Sequence, residues 1–257
     1  MSTEGLAYTE IGEGTPVVLL HGLTCSAAYW LRVVPLLEGL RVIALDFRGH
    51  GLSRHRDSYR YADYGDDLLS LIDELGLERV TVAGHSLGGY VALLAATRSD
   101  RVGAVLAADV KSDWTEADAR LADASRNAAQ RVESSREIVI DRLARTLPPS
   151  LTVHELENIA LRSIEPVADA GWRFRWDRRV LATEPVEPFA FLSDVRRDVR
   201  VMSGSESDVM TPDAAERFAA AIPDAVLEVV DGVGHHVELE APERIASRIR
   251  ELLALRG

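Results

Sequence analysis

Short apolar runs rich in β-branched residues recur along the first half of the chain, at Pro16–Leu20, Arg41–Leu45, Val80–Ala83 and Val102–Ala107. Each is followed by a longer stretch whose apolar residues fall at helical spacing. Between the second and third runs, Tyr64, Leu68, Leu69, Leu71, Ile72 and Leu75 trace one helix face that stops at Gly76. Runs that are apolar throughout, rather than alternating, suit strands covered on both faces, so the pattern predicts a mostly parallel, doubly wound α/β sheet. Gly5–Ile11 is expected as an extra edge strand, joined through the Gly12-Glu13-Gly14 turn.

After about residue 112 the rhythm fails. Residues 113–195 are mostly helical in pattern and are cut by Pro148-Pro149, Pro166, Pro185 and Pro188; strand-like runs resume at Val199–Met202 and Val226–Val230. The simplest organisation is a core formed by 1–112 and 196–257, interrupted by an inserted helical cap over 113–195. A chain of 257 residues is long enough for one such domain with a buried core.

The segment VTVAGHSLGGYVALLAAT passes from an apolar strand to an apolar helix through Gly84-His85-Ser86-Leu87-Gly88. A serine hydroxyl is a weak nucleophile unless it is presented to a base, and a sharp strand-to-helix turn presents it. Ser86 is therefore the expected nucleophile, with the Leu87 N–H at the start of the helix as one oxyanion donor. The loop after the first buried strand, His21-Gly22-Leu23, is placed to give the second donor through the Leu23 N–H, with His21 as a loop brace.

Along such a chain the acid and then the base follow the serine. The Gly232-Val233-Gly234 loop after the last strand-like run carries two histidines, His235 and His236, either of which a glycine-rich loop can swing over a sheet. The acid is expected after the penultimate strand, in Gly204-Ser205-Glu206-Ser207-Asp208. Asp208 is favoured because it stands just before Val209, Met210 and Pro212, where the next helix opens; Glu206 competes, and Asp109 is a more distant third, read as a strand-end cap. Asp46–Ser53 (DFRGHGLS) reads as a braced turn. No H-E-x-x-H or H-x-H pattern occurs, so no metal site and no cofactor are expected.

A net charge of −12 argues against nucleic acid as a partner. Cys25 is the one cysteine, no apolar run approaches the roughly 20 residues of a membrane span, and the N-terminus lacks the pattern of a secretory signal. The chain thus reads as soluble and cytoplasmic, acting on a small molecule, with oligomeric state open and a homo-oligomer among the options. Aromatic residues at Trp30, Trp114, Trp172 and Trp176, with His236, are candidates for a substrate pocket, although amphipathic packing is the favoured account of the alternating aromatics and arginines of Trp172–Arg179.

Taken together, LLHG at 19–22, DFRGHGLS at 46–53, GHSLGG at 84–89, the Gly204–Pro212 loop and GVGHHVELEAPE at 232–243 resemble the α/β-hydrolase superfamily, in its compact group with an HG oxyanion loop and a helical cap. The resemblance implies an eight-stranded, mostly parallel sheet, here with the first strand missing. Its G-x-G-H pattern selects His235 over His236 as the base. Ser86 departs from the elbow aspartate of the superfamily's haloalkane dehalogenases and epoxide hydrolases. His236 departs from the tryptophan that often follows the histidine in its carbon–carbon bond hydrolases; cofactor-free haloperoxidases, which behave as esterases, share the GxSxGG elbow. The resemblance implies cleavage of a carboxylic ester or lactone, with a carbon–carbon hydrolase of diketones and a weakly catalytic ligand-binding receptor as alternatives.

Overall fold

A computed structural model describes residues 4–126, 128–182 and 190–255. Strands β1 (Ala7–Ile11), β2 (Thr15–Leu20), β3 (Leu40–Asp46), β4 (Val80–His85) and β5 (Val102–Ala108) come from the first half, with helices α1 (Tyr61–Glu74) and α2 (Leu87–Arg98) between them. They form one seven-stranded sheet with β8 (Asp198–Gly204) and β9 (Val226–Val230), in the order β1-β3-β2-β4-β5-β8-β9. All neighbours run parallel except β1, which pairs antiparallel with β3 from Ala7↔Asp46 to Ile11↔Val42. The buried runs, the α1 periodicity and the edge strand all stand where the sequence places them, and α1 is followed by Gly76 in the left-handed region (φ 64°).

Why the central strands are apolar throughout follows from the two faces. Successive side chains point to opposite sides of a strand. Val18 and Leu20 of β2, with Ile43 and Leu45 of β3, pack under α1 and α2 against Leu68, Ile72 and Val91. Their neighbours Val17, Leu19, Val42 and Ala44 pack on the other side against Trp30 and against Ile245, Ile249 and Leu252 of α8 (Pro242–Ala254). Both faces are dry, so both registers are filled mainly by apolar side chains.

Between β5 and β8 the chain leaves the sheet. It forms α3 (Glu116–Arg126), α4 (Arg136–Ala144), α5 (Val153–Ser163) and then a hairpin of β6 (Ile164–Val167) and β7 (Gly171–Phe174). The hairpin departs from the mostly helical reading of this stretch. Ile164, Val167, Trp172 and Phe174 favour a pleated surface, Asp169 (φ 57°) turns the chain, and Gly171 (φ 123°) approaches Glu133 so closely that a Cβ would lie 2.0 Å from its carbonyl oxygen. Pro166 fits because β6 pairs on one side only. Pro185 and Pro188 lie outside the described residues. Among the described residues the remaining α-helices are α6 (Pro212–Ala220) and a single turn, α7 (Val237–Glu240).

The inserted segment is fixed to the sheet by ionic and hydrogen-bonded ties. Arg162 bonds Asp46 Oδ2 at 3.1 Å and Thr9 Oγ1 at 2.6 Å. Arg32 grips Glu155 through Nε at 2.6 Å and Nη2 at 2.9 Å. Tyr59 donates its hydroxyl to Asp177 Oδ2 at 2.7 Å, and the Asp177 N–H donates to the Gly49 carbonyl at 2.8 Å. Burial works against the Asp177 charge, but hydrogen bonds from Arg179 and Tyr59 outweigh it and hold its pKa down to about 2, against an ordinary 3.8. A carboxyl depressed on folding stabilises above its unfolded pKa and loses that contribution as pH falls through the folded one. Asp177→Asn is therefore expected to lower Tm at pH 7 and to differ less from wild type near pH 2.5, as read by thermal unfolding at the two pH values; an equal difference at both would contradict the assignment.

Candidate active site

Ser86 follows the last residue of β4 and precedes the first of α2. Its backbone sits at φ 50°, ψ −116°, a region that costs a non-glycine residue about 1–3 kcal/mol. The surroundings enforce it. A Cβ on Gly84 would stand 2.2 Å from the Gly88 carbonyl, and one on Gly88 would stand 2.3 Å from the Leu20 carbonyl oxygen, so only glycines let the helix start this close to the sheet. The Ser86 N–H donates to the Ala108 carbonyl at 2.8 Å, and the Ser86 carbonyl accepts from Gly89 and Tyr90 as α2 begins.

Beside it, Leu87 and Leu23 line the same cavity as Ser86. Leu87 opens α2, where N–H groups lack intrahelical acceptors. Gly22 lets the Leu23 loop in: a Cβ there would lie 2.8 Å from His85 Nδ1 and 3.4 Å from Ser86 Cβ. His21 braces this loop as the sequence suggests. Its Nδ1–H donates to the Gly22 carbonyl at 2.7 Å and its Nε2 accepts the Phe47 N–H at 3.0 Å, and burial pushes its pKa down to about 4. The neutral tautomer is thereby fixed. The Asp46–Ser53 turn is likewise internal: Asp46 accepts the Ala27 and Leu52 N–H groups, and Arg48 forms a two-bond clasp with Asp67.

The structure brings Asp109, not Asp208, to His235. His235 Nδ1 lies 2.6 Å from Asp109 Oδ1, whereas Asp208 and Glu206 are both exposed. Asp109 is fully buried at the end of β5, with φ 46°. The Gly204–Asp208 loop holds it instead of replacing it: Ser207 Oγ donates to Asp109 Oδ1 at 2.6 Å and the Gly204 N–H donates to Oδ2 at 3.0 Å. The sequence expectation took the loop's own carboxylate, Asp208, whereas in the structure the loop gives donors to a carboxylate from the neighbouring strand. A legible signal existed in Asp109 itself, an acid directly after a run of seven buried residues.

The His235 loop is carried to the same place. A Cβ on Gly204 would lie 2.1 Å from the Val233 carbonyl oxygen, so β8 and this loop are in backbone contact. His85, which precedes Ser86, donates Nε2–H to the His235 carbonyl at 2.9 Å. Burial pushes the His85 pKa well below the ordinary imidazole range. His236 turns away: its Nε2–H donates to the Thr146 carbonyl at 3.1 Å and its Nδ1 faces Glu238 Oε1 at 3.1 Å. Burial disfavours its charge, but Glu238 outweighs burial and holds its pKa above the usual value.

The cavity beside Ser86 is lined by Leu23, Tyr61, Leu87, Tyr90, Lys111 and Trp114 among others. Tyr61 and Tyr90 pack at 4.4 Å between ring centroids; burial raises both phenols, Tyr90 to about 12, so they remain neutral. Lys111 sits 5.5 Å over the Trp114 ring and 3.1 Å from Asp118. Of the five pocket candidates, Trp114 lines this cavity. Trp30 does not: it is fully buried under α8 on the opposite side of the sheet, which corrects that expectation. Trp172 packs with Tyr29 and Leu143, Trp176 stacks on Phe174 at 5.8 Å, and His236 faces Glu238. Tyr61, Tyr90 and Lys111 had no motif to announce them.

Residues 17–248 match a family model described as the alpha/beta hydrolase family. Over 249 residues the chain is 29% identical to the 2-(acetamidomethylene)succinate hydrolase of Mesorhizobium japonicum, which covers 93% of this chain and 87% of that one. It is 26% identical over 247 residues to esterase YbfF of Escherichia coli, covering 93% of each. The crystal structure of E-2-(acetamidomethylene)succinate hydrolase superposes with a TM-score of 0.85 at 27% identity, over 97% of this chain and 95% of that one. Among the described residues, no helix is long and apolar enough to cross a membrane.

Proposed function

Since the chain belongs to the alpha/beta hydrolase family, we propose that it is a serine hydrolase that cleaves a carboxylic ester or lactone through an acyl-enzyme on Ser86. The observation that carries this reading is the Asp109–His235 hydrogen bond of 2.6 Å, in the chain order and fold position that complete an elbow serine. His235 takes the Ser86 proton as the hydroxyl oxygen attacks the carbonyl carbon. The Leu23 and Leu87 N–H groups receive the developing oxyanion. His235 then returns the proton to the leaving alkoxide, and water, activated by the same imidazole, releases the acid product. Asp109 holds Nδ1–H and so keeps Nε2 as the base; it also stabilises the imidazolium.

Residues 113–195 act as the cap in this reading, with Trp114 forming one wall of the acyl site. Among the described residues lining that cavity Lys111 is the one cation, and although it pairs with Asp118 it favours substrates carrying a carboxylate near the scissile bond. The relative named for a substituted succinate supports the same preference. Incubation with a fluorophosphonate followed by peptide mass mapping tests the reading: an adduct on Ser86 is expected. A folded protein that takes no adduct, and that hydrolyses neither p-nitrophenyl acetate nor a simple lactone, would sink it.

A further inference from the structure

Behind the Asp109–His235 pair lies a second group of buried side chains that the proposed reaction does not use. His85, His236 and Glu238 converge so that one ligand atom from each lies within 4.8 Å of the others. His85 and Glu238 have side chains only 1% exposed. Their hydrogen bonds determine which atoms face inward. His85 uses its Nε2–H on the His235 carbonyl and His236 uses its Nε2–H on the Thr146 carbonyl. In both rings Nδ1 is left toward Glu238 Oε1, at 3.4 Å from His85 and at 3.1 Å, within hydrogen-bond distance, from His236.

Three electron-rich atoms therefore face one another in a dry place, and two buried atoms there, His85 Nδ1 and Glu238 Oε2, have no hydrogen-bond partner. Isolated polar atoms of this kind cost free energy. A proton on His236 Nδ1 satisfies the contact with Glu238 and leaves the other two atoms bare. A divalent cation takes a lone pair from each imidazole and one oxygen of the carboxylate at once. The geometry also suits one: ligands about 2.0–2.1 Å from a tetrahedral zinc ion stand roughly 3.3–3.4 Å apart, close to the separations of 3.1 and 3.4 Å found here. Imidazoles that ligate zinc characteristically give their other N–H to a backbone carbonyl, as both of these do.

We propose that His85 Nδ1, His236 Nδ1 and the Glu238 carboxylate form a binding site for one divalent transition-metal ion of the zinc class. The site is structural. It joins the residue before Ser86 to the segment that carries His235 through three protein ligands. Two imidazoles and one carboxylate select zinc, cobalt or nickel over magnesium and calcium. No local motif reveals the set, because His85 ends β4 whereas His236 and Glu238 stand at the start of α7, and only the fold brings them together.

The test uses the full-length protein stripped with a chelator, then incubated with zinc chloride, passed through gel filtration and assayed for metal by mass spectrometry. One zinc per chain is expected, with a rise in Tm that excess magnesium does not reproduce. Ser86→Ala should bind zinc as wild type does, which separates this site from the proposed reaction. His236→Ala, at the more accessible ligand, and Glu238→Gln should each weaken zinc binding about 100-fold or more, because three ligands are reduced to two. Circular dichroism confirms that a variant is folded. A wild-type protein that emerges without zinc would overturn the proposal. Zinc retained at full stoichiometry by folded His236→Ala would overturn it as well, since the metal would then sit elsewhere.

Discussion

Replacing Ser86 by alanine is expected to lower kcat for a p-nitrophenyl ester by roughly 10⁵–10⁶-fold, because the residual rate of an enzyme without its nucleophile comes from binding and the oxyanion site alone. The loss should fall on turnover and leave KM within a small factor, since the Leu23 and Leu87 N–H groups and the aromatic wall stay in place. Folding should survive. The serine side chain makes none of the contacts that set the elbow, which come from Gly84 and Gly88 against backbone and from the Ser86 main chain bonded to Ala108. Single-turnover kinetics with wild type and variant, beside a denaturation curve for each, check both halves. A variant retaining a tenth of wild-type turnover would mean that Ser86 is not the nucleophile.

The second large effect separates two carboxylates. Asp109→Asn is expected to reduce kcat about 10⁴-fold, by the logic that an amide in this place stabilises the wrong imidazole tautomer and cannot offset its positive charge. The local bonds sharpen this. Asp109 accepts three hydrogen bonds, from His235 and Ser207 on one oxygen and from Gly204 on the other. An asparagine has only one acceptor oxygen, so in either orientation its NH₂ faces a donor. Asp208→Asn changes an exposed side chain and should leave kcat within about twofold of wild type. Measuring both variants with one ester decides the matter; a collapse in the Asp208 variant with the Asp109 variant intact would reverse the assignment. Because Asp109 is fully buried, its variant should also be less stable, and kcat must be read on the folded fraction.

Much of this molecule follows from local rules. The apolar runs become the buried parallel strands because neither face of the central sheet meets water, and the α1 stripe becomes a helix because its spacing matches a single face. Ser86 was readable for a related reason: its elbow needs glycines at fixed offsets, and steric demands of that kind are written in adjacent residues. His235 gained its place from a glycine-rich loop after the last strand, again a local signature.

The acid and the pocket obey a different logic. Asp109, Ser207 and His235 lie on three separate segments, and their meeting depends on β5, β8 and the His235 loop lying side by side in the sheet. Either of two strand ends could supply a carboxylate at nearly the same point in space, and pattern alone cannot rank them. Trp30 and Trp114 show the same limit. Both are large aromatics near the expected site, yet one is sealed under α8 and the other opens on the Ser86 cavity, because side-chain direction depends on which face of the sheet covers the residue. The sequence by itself determined the core strands, the helices between them and the elbow, all of which rest on spacing within a few residues. Only the tertiary structure decided which acid meets the histidine, which aromatics line the cavity, and how His85 comes to face Glu238, because those contacts span up to 153 positions along the chain and exist only once the sheet has formed.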